Sequence, residues 1–359
     1  MSAKKRDEAA PESDVLPGTP APRINRHLFG HASAEREFLE AFRSGRMPHA
    51  WLIGGRPGIG KATLAWRVAR FLMAHPDPRL PAVERAKDLH VDPDDRAAHL
   101  IDALAAPDVA ILRREWNFEA RPPKHYTEIR VDDARRVLRM FHHNSAAGGW
   151  RICIVDAADD LNRNSANALL KLIEEPPTRS LFLIVAHQPG RVLPTIRSRC
   201  RKLMLKPLHV PDIVRAVQAL GETFDKHQAA EIEKAAHRAD GSVRETLRIL
   251  ARQGAASQKQ TDDMLRALPK VDWSLVQSLA DNLGRVQAAN EFDAFIETVF
   301  GWLDSRVKEA AGQGPRRLAP LAEGWDRINE AVRAAEIYNL DKRGLVLEIA
   351  EELETATRR

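Results

Sequence analysis

Residues 50–63, AWLIGGRPGIGKAT, join an apolar run to a glycine-rich loop and to the start of a helical pattern. The apolar run 50–54 is typical of a buried strand, and apolar residues at helical spacing over 62–73 predict a helix. Glycines let backbone N–H groups turn inward around an anion, and a helix N-terminus adds partial positive charge. The stretch therefore predicts a phosphate-binding loop between a strand and a helix.

The residues of this loop that we expect to surround the phosphates of a nucleotide are Gly55, Arg56, Pro57, Gly58, Ile59, Gly60, Lys61, Ala62 and Thr63. Lys61 would reach the β- and γ-phosphates. One position departs from the motif, because Ala62 stands where a Ser or Thr hydroxyl holds Mg²⁺. Thr63 does not replace it, since one step along a helix turns a side chain by about 100°. A loop that merely connects strand and helix is the alternative, which we rank below phosphate binding.

An acidic residue at the end of a second apolar run is the next expected nucleotide element. The run 152–155, ICIV, is followed by Asp156, which could orient Mg²⁺ directly or through water. Proteins with a phosphate-binding loop that hydrolyse ATP usually have a Glu at the next position, where this chain has Ala157. We interpret Asp159 and Asp160 as helix-capping charges. Because the hydroxyl and the carboxylate are missing together, we expect hydrolysis in cis to be weak or absent.

The order of apolar runs and helical patterns predicts the fold class. Buried strands are predicted at 50–54, 109–112, 152–155, 181–186 and 202–205, with helical patterns between them. That alternation favours an α/β domain with a parallel sheet. The stretch 75–130, rich in Pro and charge, predicts an irregular excursion, and after Pro211 only helical patterns follow. We predict a flexible tail over 1–22, a P-loop nucleotide-binding domain over 23–206, a helical lid over 207–268 and an all-α domain over 269–359.

Composition limits the function classes. The chain has 359 residues and a net charge of +5, which permits contact with nucleic acid without requiring it. No apolar run approaches the roughly 20 residues that span a bilayer, so we predict no membrane association. Cys153 and Cys200 are the only cysteines, which excludes a disulfide scaffold and an all-cysteine metal site and fits a reducing cytoplasm.

Several motifs together resemble those of a known family. Residues 164–177, NSANALLKLIEEPP, and 195–200, TIRSRC, look like the helix after the acidic strand and the Ser-Arg-Cys motif of bacterial clamp-loader subunits. Residues 241–244, GSVR, resemble their second sensor element. Residues 28–31, LFGH, resemble their adenine-side segment, and 338–342, YNLDK, their last collar helices. The resemblance, which covers about 22–355, implies the AAA+ fold with a helical lid and an oligomerising collar.

Within that family, the missing hydroxyl and carboxylate make the chain similar to delta-prime subunits of the DNA polymerase III clamp loader. The resemblance implies a mostly static subunit that helps to load the sliding clamp on primed DNA, without catalysis of its own, within the DNA-directed DNA polymerase (nucleotidyltransferase) holoenzyme. Implied partners are motor gamma/tau and delta subunits in a ring, the clamp and primer-template DNA. ATP or ADP would bind weakly or without hydrolysis. Relatives commonly carry four zinc-binding cysteines, but 75–130 has none, so we predict neither zinc nor another metal.

Two arginines receive roles from the resemblance. Arg199, in the Ser-Arg-Cys motif, would project into the nucleotide site of a neighbouring subunit as an arginine finger, where a planar cation stabilises charge on the γ-phosphoryl oxygens. Without the resemblance, Arg199 would be interpreted as a solvated or salt-bridged charge in the basic run 197–202. Arg244 would touch phosphates of its own site from the lid, and an exposed helix arginine near Glu245 is the alternative.

Two other functions remain open from the sequence. The first is an ATP-hydrolysing motor subunit, against which Ala62 and Ala157 argue. The second is a nucleic-acid-binding protein that retains a vestigial P-loop, which salt-sensitive DNA binding by the isolated chain would support.

Overall fold

The computed structural model describes most of the chain in two compact units, Met1–Leu247 and Arg248–Arg359. The described residues are 10–13, 15–16, 19–121, 123–142, 149–221, 228–253, 256–285, 288–311, 315–338 and 340–358. The predicted domain boundaries at 206/207 and 268/269 stay predictions.

The first unit is built on a parallel sheet, as the sequence predicts. Its strands are β1 Ala50–Gly54, β2 Val109–Leu112, β5 Arg151–Val155, β6 Ser180–Ala186 and β7 Arg201–Met204, while β3 Trp116–Asn117 and β4 Lys124–His125 form a separate hairpin. The strand order is β2-β5-β6-β1-β7, and each neighbouring pair is parallel. The five predicted strands are therefore confirmed, with ends that differ by a residue.

Helices cover both faces of this sheet. In chain order they are α1 Ala32–Arg43, α2 Lys61–Ala74, α3 Pro81–Arg85, α4 Arg96–Asp102, α5 Val131–His142, α6 Arg163–Glu174, α7 Pro194–Arg197, α8 Val210–Gln218 and α9 Ala229–Arg238. Because successive strand residues point to opposite faces, Trp51 and Ile53 belong to the core with α1 and α2, while Ala50 and Leu52 belong to the core with α5 and α6. Both faces of the central strands are thus buried, as parallel sheets require.

The stretch 75–130 contains short elements outside the main sheet. Two short helices, α3 and α4, lie in this stretch. The sequence pattern predicts neither the hairpin β3–β4 nor the helix α1, which precedes the sheet. Trp116 and His125 pair directly across the hairpin, with ring centroids 4.7 Å apart. Two paired residues on each side carry too short an alternation to be distinguished from a loop by pattern.

The described part of residues 1–22 makes contacts with the rest of the first unit, and the flexible tail stays a prediction. The Glu12 carboxylate pairs with Arg23 and Arg113, and Ala21 is buried. Burial of a small apolar side chain and two ion pairs favour these contacts. Residues 1–9, 14, 17 and 18 lie outside the described residues.

The second unit has a core of its own, made by helices. They are the end of α10 Val243–Gln253, which begins in the first unit, then α11 Ala256–Ala267, α12 Trp273–Leu283, α13 Ala289–Ala311, α14 Pro315–Tyr338 and α15 Lys342–Arg358. Val276, Leu279, Val299, Val346 and Ile349 lie at its centre without solvent exposure. Among the described residues, no helix combines the length and the apolar character needed to cross a membrane.

Candidate nucleotide cleft and the exposed arginine

The predicted phosphate loop lies between β1 and α2, at the edge of the sheet where the parallel strands end. Gly58 and Gly60 have φ angles of +75° and +100°, a backbone conformation that side-chain-bearing residues rarely adopt. Gly60 is the residue that precedes α2, so the loop leads directly into the helix N-terminus. This local geometry is the one that binds anions through backbone N–H groups and the helix dipole.

Lys61 is buried inside this loop, with 3% of its surface exposed. Its Nζ donates to the carbonyl oxygens of Gly55 and Arg56, at 2.6 and 2.5 Å. The ammonium group therefore holds the two ends of the loop together in addition to any role toward a phosphate. Ala62 and Thr63 both border the cleft, but Ala62 brings only a methyl group to the position where Mg²⁺ needs a hydroxyl.

Asp156 follows β5 and borders the same cleft, as predicted. The next residue, Ala157, is 1% exposed, so the position of the missing carboxylate lies inside the core. A charged side chain there would have to be desolvated at high cost. The cleft accordingly contains neither of the two groups that ATP hydrolysis in cis requires at these positions.

Asp159 and Asp160 do not cap the following helix, contrary to our interpretation. Asp159 accepts hydrogen bonds from the backbone N–H groups of His187 and Gln188 at 2.5 and 2.6 Å, and it thereby fixes the segment after β6. Asp160 pairs with Arg114 at 2.9 Å. The cap of α6 is Asn162, whose side-chain oxygen accepts from the N–H of Ser165. The chain returns from β6 beside Asp159, and this proximity is not encoded in the local sequence.

The predicted sensor segment 241–244 lies directly on the phosphate loop. Ser242 Oγ donates to the carbonyl oxygen of Pro57 at 2.9 Å, and the Val243 N–H donates to that of Gly58 at 3.0 Å. Arg244 borders the cleft, as expected. A Cβ atom on Gly58 would lie 2.4 Å from both Ser242 Oγ and Arg244 Cβ. Close approach of this segment therefore depends on the absence of a side chain at position 58.

The opposite side of the cleft is apolar, as an adenine-side surface would be. Leu28 and Phe29, from the segment that the resemblance singled out, border it. His31 anchors this segment to the loop, because its Nε2 lies 2.7 Å from the carbonyl oxygen of Ile59. Burial lowers the pKa of His31, and the hydrogen bond to Ile59 offsets only part of that effect. The imidazole is thus favoured in its neutral form, with Nε2 as the donor.

Residues of the N-terminal segment also border the cleft, which the sequence did not predict. They are Val15, Leu16, Thr19, Pro20 and Pro22. The signal that could have found them is the pair of apolar residues at 15 and 16 within an otherwise polar stretch. One side of the cleft is thus made by a segment that lies before the α/β domain in sequence.

Arg199 lies outside the cleft, between α7 and β7. The flanking residues Ile196 and Cys200 are buried, so the backbone is fixed on both sides while the arginine side chain is 41% exposed. Its Nη2 pairs with Glu174 Oε1 at 2.7 Å, and its Nη1 donates to the carbonyl oxygen of Thr195 at 3.0 Å. The charge is thus salt-bridged and still available at the surface. The helix α6 ends at Glu174, before the two prolines, because a proline ring cannot continue the helix.

The two cysteines are free and buried in the same hydrophobic core. Burial raises the pKa of each thiol to about 12. Both side chains are therefore protonated and unreactive at neutral pH, and they fill volume in the core.

Comparisons with known proteins show the family. A family model described as DNA polymerase III, delta subunit, matches residues 30–209, about half of the chain. The delta-prime subunit of DNA polymerase III from Pseudomonas aeruginosa is 30% identical over 303 residues, which cover 83% of this chain and 86% of that protein. The tau subunit from Escherichia coli is 26% identical over 280 residues, 78% of this chain and 39% of that protein. Among solved structures, a gamma-subunit-related protein from Thermotoga maritima has a TM-score of 0.41 at 16% identity, covering 90% of this chain and 100% of that chain. The family model and the delta-prime relative together show that the chain belongs to the delta-prime subunit family of DNA polymerase III.

Proposed function

We propose that this chain is a mostly static subunit of a clamp loader, which helps to load the sliding clamp on primed DNA without hydrolysing ATP itself. The observation that carries the proposal is a pair of alanines where hydrolysis needs a hydroxyl and a carboxylate: Ala62 borders the cleft, and Ala157 is buried directly after Asp156. The hydrogen bonds from Ser242 and Val243 to the phosphate loop support it, because they attach the sensor segment to the loop through the chain's own groups.

The partners in this proposal are motor gamma/tau and delta subunits in a hetero-oligomeric ring, the sliding clamp, and primer-template DNA, in the cytoplasm. The helical residues 269–359 would form the collar that joins the subunits. Membership of the delta-prime family supports this assembly.

The residues of the cleft fit the phosphates of ATP or ADP better than they fit Mg²⁺. Gly58 and Gly60 have the backbone conformation of an anion-binding loop, and Lys61 and Arg244 add positive charge at its border. In our proposal these residues hold the phosphates, and Leu28 and Phe29 contact the base. Among the described residues that border the cleft, Asp156 is the acidic one that could orient a metal ion. A bound nucleotide would supply negative charge that stabilises the closed lid rather than a group that reacts.

In the same proposal, Arg199 is an arginine finger that acts in trans. Its position outside the cleft of its own chain, on a backbone fixed by buried neighbours, supports a role at the surface. A planar guanidinium can bind two oxygens of the γ-phosphoryl group of an adjacent ATPase subunit, and such fingers contribute about 10³–10⁵ in kcat.

The experiment reconstitutes the complete clamp loader with the Arg199→Ala variant and measures ATP turnover in the presence of clamp and primed DNA. We expect ATP turnover to fall by the fraction that comes from the one nucleotide site into which Arg199 projects, while the complex still assembles. Arg199→Lys should lose nearly as much, because an ammonium lacks the planar fork. Lys202→Ala removes a neighbouring exposed cation on β7 and serves as the matched control. Turnover equal in the Arg199→Ala and Lys202→Ala loaders would remove Arg199 from the mechanism.

A further inference from the structure

The guanidinium of Arg199 is held at two points by groups from two helices. Glu174, the last residue of α6, accepts from Nη2 at 2.7 Å, and the carbonyl oxygen of Thr195 in α7 accepts from Nη1 at 3.0 Å. The contact of Nη1 with Ser198 Oγ, at 3.5 Å, is at the outer limit of a hydrogen bond. Both helices are fixed by buried residues next to these groups, Ile173 and Ile196. A long exposed side chain is therefore oriented by anchored partners.

The placement of Glu174 is unfavourable for α6 itself. An acidic side chain at the C-terminal end of a helix lies beside the negative end of the helix dipole. Glu175 follows it immediately at the helix cap, so two carboxylates are adjacent there. The pair with Arg199 compensates the first of them. The stability of α6 therefore does not explain an acidic residue at position 174. The ion pair with Arg199 does explain it.

The remaining donors of Arg199 are sufficient for a phosphate. A guanidinium carries five N–H groups. Glu174 and Thr195 each take one, which leaves the Nε–H and one N–H on each terminal nitrogen. The arginine can thus bind phosphoryl oxygens without leaving Glu174. The ion pair between Arg199 and Glu174 therefore does not need to break before Arg199 binds a phosphate.

We propose that Glu174 is a positioning residue that holds Arg199 in the orientation in which it meets the γ-phosphate of the neighbouring subunit; this inference rests on the function proposed for Arg199. A free arginine side chain loses conformational freedom when it binds, and a side chain that is already oriented loses less. The carboxylate acts through the arginine and does not touch the nucleotide.

The experiment uses the reconstituted loader with clamp and primed DNA, and it measures kcat and KM for ATP in four variants. Glu174→Ala should lower the kcat of the Arg199-dependent turnover about two- to fivefold, the range that an exposed ion pair supports, with KM unchanged. Glu174→Gln should lose less, because its amide oxygen still accepts from Nη2. Glu175→Ala, which removes the adjacent carboxylate, is the matched control and should equal wild type. Glu174→Ala combined with Arg199→Ala should be no slower than Arg199→Ala alone.

The outcomes separate this inference from the function on which it rests. If Arg199→Ala lowers turnover but Glu174→Ala equals Glu175→Ala, the positioning role falls and the arginine finger stands. Faster turnover in Glu174→Ala would also overturn it, because the carboxylate would then restrain the arginine. No effect of Arg199→Ala would overturn both. Melting temperatures of the variant chains show that folding is intact, and we expect them to be unchanged since neither carboxylate favours the end of α6.

Discussion

Two charged side chains near the cleft form hydrogen bonds with backbone groups of the same chain. The Lys61 ammonium donates to two carbonyl oxygens of its own loop, and the Asp159 carboxylate accepts from two N–H groups beyond β6. Hydrogen bonds to charged groups contribute about 1.5–3 kcal/mol each to stability. These residues therefore stabilise the loops around the cleft whether or not a phosphate is present. Outside the cleft, Glu174 likewise pairs with Arg199 at 2.7 Å.

His31 gives a prediction for pH dependence at this scale. Burial lowers its pKa in the folded chain below the ordinary value of 6.5, so the unfolded chain binds a proton first as the pH falls. Its contribution to the free energy of unfolding is present above pH 6.5 and is lost as the pH falls toward the folded-state pKa. We expect His31→Gln to make the loss of stability between pH 8 and pH 5.5 smaller than in wild type, measured by urea unfolding.

The control for this prediction is His90→Gln, since His90 is exposed and lies far from the loop in sequence. The comparison separates the effect of replacing a buried histidine from the effect of replacing an exposed one. Identical pH profiles for His31→Gln and wild type would show that the burial of His31 does not shift its proton equilibrium.

Two elements meet at the phosphate loop, and their contact depends on one glycine. Ser242, which precedes α10, and Val243, the first residue of α10, each donate a hydrogen bond to the loop. Gly58 of the loop lies against this segment. Its φ angle is +75°, and the neighbouring atoms leave no space for a side chain. The exposed pair of Arg56 with Asp240, at 3.2 Å, adds little to this contact, because exposed ion pairs are weak. Shape and hydrogen bonding, rather than charge, thus hold the lid segment on the loop.

Gly58→Ala should destabilise the chain. The alanine must adopt a left-handed backbone conformation, and its Cβ would meet Ser242 and Arg244 at 2.4 Å. We expect a loss of about 1–3 kcal/mol in the free energy of unfolding, measured with urea. Gly190→Ala is the matched control, because nothing lies within 4 Å of its Cβ position, and it should change stability by about 0.5 kcal/mol or less. Equal stability of the two variants would contradict the contact between lid segment and loop.

The whole chain combines a cleft without hydrolytic groups and a separate helical unit with its own core. In our proposal, the chain contributes by shape and by one arginine, while ATP hydrolysis occurs in other subunits. Restoring hydrolysis would require two changes at once, and one of them would bury a carboxylate at position 157. In our proposal, the absence of hydrolysis therefore depends on a buried position as well as on the surface of the cleft.

The purified chain should release no inorganic phosphate from ATP above the background of a Lys61→Ala preparation. Ala62→Thr should strengthen the binding of Mg²⁺-ATP, because it adds the metal-binding hydroxyl, but it should not create turnover. Phosphate release and equilibrium binding of a labelled ATP analogue measure the two effects. Steady phosphate release that disappears in Lys61→Ala would contradict the static role.

The sequence alone predicted the five strands of the parallel sheet and the position of the glycine-rich loop between a strand and a helix. Strands such as Arg151–Val155 are short apolar runs between turns, and Gly60-Lys61 directly precedes the helical pattern. Local periodicity and spacing encode these features, since they depend on residues a few positions apart. The missing hydroxyl at Ala62 was visible for the same reason.

Only the tertiary structure decided which distant residues meet. Ser242 binds Pro57 across 185 positions, and Glu12 meets Arg113 across 101 positions. The position of the N-terminal segment along the cleft and the pairing of Glu174 with Arg199 are also contacts between residues that lie apart in sequence. Such contacts follow from the path of the chain through the fold. Local propensity and spacing do not specify them, because the sequence around one residue carries no information about which distant residue it will contact.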